Sequence, residues 1–128
     1  MKKSWIKRKV KSKSQLKELA WKLTSIHVRS KDADWRGFNY CYTCGVRKHW
    51  KELQCGHYIH ARLDYELNNL RPKCQRCNKW LHGNSGIYGE KLIKELGLKV
   101  VEKMRLYSYK KGNDYSRTEL LAIIKKYE

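Results

Sequence analysis

Four cysteines fall in two CxxC pairs, Cys41-Tyr42-Thr43-Cys44 and Cys74-Gln75-Arg76-Cys77, with 29 residues between them. A two-residue gap lets one tight turn aim two thiolates at the same ion, and two such turns complete the tetrahedral sulfur set that Zn²⁺ prefers. Gly45, directly after the first pair, supplies the backbone freedom such a knuckle needs. Four sulfur ligands leave no open position for water, so the expected Zn²⁺ is structural and adds folding free energy to a small chain. A redox dithiol would need only one CxxC, and neither pair lies in a thioredoxin-like strand and helix pattern. Cys55 is left over and reads as a small packed residue.

Between and after the pairs lie the other groups able to do chemistry. Leu53 to Ile59 can form a strand carrying His57, residues 61–68 a polar loop, and Asn69-Leu70-Arg71 a short return strand ended by Pro72. After Cys77 a helix can begin with Asn78 in its first turn, which would place Asn78 and His82, four residues apart, on one face. The expected core is a strand–strand–helix unit pinned by zinc over about residues 41–84.

The rest of the chain must position that unit. Leu16, Leu19, Ala20, Leu23, Ile26 and His27 fall at helical spacing from Ser14 onward, predicting a helix of roughly 15 residues. Residues 31–39 read as a loop. Tyr88 to Leu96 predicts a short helix stopped by Gly97, Val100 to Tyr107 another, and residues 110–115 a polar turn. Ser116 with Glu119 forms a capping box ahead of Leu120, Leu121, Ile124 and Tyr127. The fold class is therefore α+β: a zinc-stapled core flanked by N-terminal and C-terminal helices, as one domain over residues 14–128. Residues 1–13 hold seven Lys or Arg and read either as a basic flexible arm that tracks phosphates or as a solvated tail.

Composition narrows the class of partner. Thirty Lys and Arg against twelve Asp and Glu give the 128-residue chain a formal charge of +18, a surplus that implies a polyanionic partner. No apolar run reaches 18 residues and the charged N-terminus lacks an apolar signal segment, so the expectation is a cytoplasmic protein without a membrane partner.

The order CxxC, His57, Asn69-Leu70, CxxC, Asn78 resembles the zinc-stapled HNH endonucleases of the ββα-metal, or His-Me finger, class. More narrowly, CYTCG, GHYIHARL, NNLRPKCQRCN and the following HGN resemble the phage NinG (Rap) recombination proteins, over about residues 15–105. That resemblance implies a metal-dependent endonuclease acting on branched DNA such as Holliday junctions and D-loops, in the host cytoplasm; symmetric cutting of a four-way junction needs two active sites and so a homodimer. It implies His57 as general base and Asn69, or its neighbour Asn68, as the residue that holds the loop and orients the base. Asn78, with His82 one turn on, would hold a catalytic Mg²⁺ or Mn²⁺.

Arg62 and Arg71 are read as phosphate clamps, with His60 and Lys79 as further nucleic-acid contacts. Histidines 27 and 49 are assigned to packing or surface, and Trp35, Trp50 and Trp80 to the core around the zinc, base stacking being the other reading. Many members of the class carry an acid or a histidine just before the base, where this chain has Gly56. A non-catalytic zinc-stapled DNA-binding protein is the second reading, because charge and zinc suffice for binding without His57 and Asn78.

Overall fold

Ser12 opens the first helix through a reciprocal cap: its hydroxyl accepts from the Gln15 N–H (3.2 Å) while Gln15 Oε1 accepts from the Ser12 N–H (2.8 Å). The computed structural model describes residues 11–60, 63–108 and 114–128, so most of the basic arm, Arg62 and much of the predicted 110–115 turn lie outside the described residues. Helix α1 then runs Lys13–Ser30 and buries Leu16, Ala20, Thr24 and Val28. Leu16 and Ala20 pack against Leu120 and Ile124 of the last helix, α4 (Arg117–Tyr127). Leu16, Leu120 and Ile124 are fully buried, each worth about 1.5–3 kcal/mol of transfer free energy. The Ser116 cap on α4 forms as the sequence predicts, with Ser116 and Glu119 exchanging two 3.1 Å hydrogen bonds.

Two small antiparallel sheets follow α1. Strands β1 (Phe38–Tyr40) and β2 (Arg47–His49) form a hairpin whose turn is the first cysteine knuckle. Part of the predicted 31–39 loop is thus strand; the knuckle is itself a hairpin turn, closed by Cys41 N–H to Val46 O and Gly45 N–H to Cys41 O, both 2.9 Å. Gly45 sits at φ +79°, the left-handed region that glycine tolerates.

Strands β3 (Gln54–His57) and β4 (Leu70–Lys73) form the second sheet, with Gly56 opposite Arg71 and His57 opposite Leu70. Pro72 does not end the return strand. It lies opposite Cys55, and its carbonyl points away to accept from Tyr42 N–H at 2.9 Å, so the missing proline N–H falls on the side that β3 does not use. That bond also ties the two sheets together.

Beyond the second cysteine pair the predicted helix becomes one π-helical turn, Arg76–Trp80. The chain then breaks: His82 (φ +49°), Gly83 (φ +83°) and Asn84 (φ +49°) all lie in left-handed conformations before α2 (Ser85–Leu96) begins. Gly97 at φ +91° ends α2 as expected, and α3 (Leu98–Ser108) returns against it, burying Tyr88, Leu92 and Val101 together. Among the described residues no helix is long and apolar enough to cross a membrane.

Candidate active site and metal centre

Two knuckles from different parts of the chain meet. The Sγ atoms of Cys41, Cys44, Cys74 and Cys77 all lie within 4.8 Å of one another, with Cys44 and Cys74 at 3.7 Å. A tetrahedral zinc with sulfurs at about 2.3 Å requires S···S separations of roughly 3.8 Å, so the cluster fits that ion with little adjustment. Burial opposes ionisation of the Cys41 thiol, but hydrogen bonds from the Cys44 backbone and the Thr43 hydroxyl outweigh it and bring it down to about 6. Cys55 is apart from the set, packed with Val28 and Leu70, and burial pushes its thiol up to about 12.

Cys41, Cys74 and Cys77 with Leu53 fill the small interior at this end, Cys44 is exposed, and the predicted core tryptophans are not in that cluster. Trp35 is 86% exposed, under the Arg36 guanidinium, and Trp80 is 71% exposed. Trp50 is half-buried and faces Arg29. Histidines 27 and 49 do pack, on Tyr127 and Phe38 respectively.

His57 ends β3 at the start of a loop that Asn69 holds. Asn69 is fully buried; its Oδ1 accepts from the Ile59 N–H (2.7 Å) and its Nδ2 donates to the carbonyls of Ile59 (2.8 Å) and Leu63 (3.1 Å). Asn68, the alternative, is exposed. The loop returns Asp64 to His57, whose Nε2 lies 3.2 Å from the Asp64 carbonyl and 3.6 Å from its carboxylate. A carbonyl can only accept, so Nε2 carries the proton and Nδ1 keeps the lone pair. Trp21 of α1 stacks on the imidazole at 4.7 Å and 15°. Burial lowers the His57 pKa below 6.5 and outweighs the Asp64 charge that raises it, so the ring is neutral at pH 7.

His57 and Asn78 line the same cavity, of about 470 Å³, together with Trp21, Ser25 and Arg29 of α1 and Gln54 of β3. Asn78 donates from Nδ2 to Gln54 Oε1 at 2.8 Å, which leaves Oδ1 as its free acceptor. That oxygen is directed across Gly56: a Cβ built there would come within 2.9 Å of it and 2.5 Å of Lys73 Cδ. The position preceding His57 therefore has no room for a side chain. Lys73, fully buried, runs past Gly56 and donates from Nζ to the Gly83 carbonyl.

His82 does not join Asn78. The helix that would have aligned them ends at Trp80, and His82, exposed and left-handed, is not among the residues lining the cavity. Arg71 is also placed elsewhere. Its guanidinium bonds Glu95 (2.9 Å) and the carbonyls of Leu67 and Leu70 (2.8 and 2.7 Å), and it lines a separate cavity of about 650 Å³ with Tyr42 and Lys91, so its fork is spent on protein and not aimed at a phosphate. His60, exposed, stands 5.8 Å from the His57 ring, and Lys79 is exposed beside Asn78.

Sequence reasoning missed Trp21, Ser25 and Arg29. Their four-residue spacing was a usable signal, because it marks a second stripe running beside the buried one on α1. A family model described as Bacteriophage Lambda NinG protein matches residues 1–128. No curated protein and no solved structure matches the chain.

Proposed function

Because this chain belongs to the bacteriophage lambda NinG family, we propose that it is a metal-dependent DNA endonuclease of the HNH type, acting on branched recombination intermediates in the host cytoplasm. The observation that carries the reading is one cavity lined by both a neutral histidine of fixed tautomer and an asparagine with a free oxygen. A protein that only bound DNA would need neither.

In this reading His57 Nδ1 takes a proton from the water whose oxygen attacks phosphorus, as the bond to the 3′-oxygen breaks. Asp64 and Trp21 hold the ring in place, the first by its carbonyl and the second by stacking. Asn78 Oδ1 would hold a Mg²⁺ or Mn²⁺, and a single amide oxygen suits an ion that keeps most of its water and takes a substrate phosphate as well. Such an ion supplies charge stabilisation to the leaving oxygen. His60, Lys79 and Arg62 are proposed phosphate contacts, and symmetric cutting of a four-way junction would need two copies of the chain.

The observation favouring a binder is Gly56, where Lys73 fills the space of the acid or histidine common in the class. A nuclease assay on linear, forked and four-way DNA with Mg²⁺ or Mn²⁺ decides between them. His57→Ala should lower cleavage at least about a hundredfold while junction affinity stays nearly unchanged, since a general base acts on the transition state. Wild-type protein that cuts no substrate, or a His57→Ala protein that cuts as fast, leaves the zinc-stapled binder.

A further inference from the structure

Arg29 stands out among the groups around the His57 cavity. Its guanidinium is half-buried and anchored through two of its three nitrogens: Nε donates to the carbonyl and hydroxyl oxygens of Ser25 (3.1 and 2.9 Å), and Nη1 donates to the carbonyls of Trp50 and Leu53 (3.3 and 3.4 Å). The plane lies over the Trp50 ring at 5.2 Å. Nη2 has no protein acceptor among the described residues, and no carboxylate pairs with the charge.

The one charge opposing the lowered Arg29 pKa is the Cys55 thiol, which burial keeps protonated at neutral pH. A partly desolvated cation without a counter-ion gains when something anionic arrives. Four hydrogen bonds and a stacking ring fix the fork in advance, so little entropy remains to be lost on binding.

Resting on the nuclease reading, we propose that Arg29 is the anion-binding group of the His57 cavity, and that it receives a phosphate of the nucleic-acid backbone through Nη2. This assigns to α1 a binding role beyond packing. It is also the one charged side chain among the described residues that line the cavity, since Gln54, Ser25, Asn78 and the neutral His57 bring no charge. Chemically, Nη2 offers a phosphate oxygen a permanently charged donor whose direction is fixed by the bonds that Nε and Nη1 already make.

The test is titration of the zinc-loaded full chain with thymidine 3′,5′-bisphosphate, followed on the NMR resonances of the arginine side chains, beside DNA cleavage by the same samples. The expected result is a saturable shift of the Arg29 guanidinium signals, a loss of affinity of at least tenfold in Arg29→Gln, and partial retention in Arg29→Lys. Cleavage by Arg29→Gln should fall in kcat/KM by a similar factor. Arg29 signals that stay still at saturation, or an Arg29→Gln protein that binds equally well, overturn the inference. Should Arg29→Gln fail to fold, the wild-type resonances alone still decide. Wild-type protein that cuts DNA while its Arg29 signals stay still keeps the nuclease and removes the anion site. Protein that binds the bisphosphate through Arg29 yet cuts nothing keeps the site and removes the nuclease.

Discussion

Replacing Asn69 by Ala should loosen the loop that holds His57, and the cost can be worked from three bonds. The side chain is fully buried and bridges Ile59 N–H, Ile59 O and Leu63 O at 2.7, 2.8 and 3.1 Å. At about 1 kcal/mol net per bond the loss is about 3 kcal/mol, roughly a hundredfold in the folding constant. That is a large part of the 5–15 kcal/mol typical of a domain. With a urea slope of about 2 kcal/mol/M the midpoint should fall by roughly 1.5 M. The measurement is urea unfolding by circular dichroism at saturating Zn²⁺, because metal loss would otherwise shift the apparent stability. Asn69→Asp, of the same size, should be at least as destabilising, since a carboxylate cannot donate to the two carbonyls. Exposed Asn68→Ala should stay within about 0.5 kcal/mol. If Asn69→Ala unfolds within 1 kcal/mol of wild type, or Asn68→Ala proves the costlier change, the loop is not held as described.

Further outcomes follow from the same geometry. Cys74→Ser should release zinc from the purified protein, measured by elemental analysis, and melt the two-hairpin region that the cluster joins; a native-like protein without metal would refute the tetrathiolate assignment. Cleavage should rise with pH through a midpoint below 6.5 and then level, because burial lowers the His57 pKa and the base works only when neutral. Asp64→Asn removes the charge that raises this pKa, so the rise should move to still lower pH; a midpoint that moves upward would exclude Asp64 from that role. The same sign applies to stability: the folded pKa is the lower one, so His57 contributes fully above pH 6.5 and the contribution is lost as pH falls through the folded value.

What the sequence disclosed was whatever short-range rules control. The CxxC pairs, the Ser116–Glu119 cap, the Gly97 stop and the apolar stripe of α1 all depend on residues within a turn or two of each other, and each is found where spacing puts it. Asn69 was named with Asn68 beside it, and burial distinguishes them. What failed needed tertiary knowledge. The break at residues 82–84 separates His82 from Asn78, and two non-glycine residues adopt positive φ there while buried Lys73 holds the Gly83 carbonyl, a contact ten residues away that no local pattern encodes. Placing Trp35 and Trp80 in the core follows from large apolar rings usually being there, yet Cys41, Cys74, Cys77 and Leu53 already fill that interior.

Helix α1 joins the two kinds of information. One stripe, Leu16, Ala20, Thr24 and Val28, is buried, with Leu16 and Ala20 on α4 and Val28 on β3 and β4. The stripe beside it, Trp21, Ser25 and Arg29, forms a wall of the His57 cavity. The angle between the stripes is set by helix geometry alone, so packing the first against the core necessarily presents the second to the end of β3. A rotation of α1 by even part of a turn would lift Trp21 from His57 and Arg29 from its carbonyl anchors together. The residues that stabilise this helix therefore also fix the cavity, and core substitutions at Ala20 or Val28 should disturb the site without touching it.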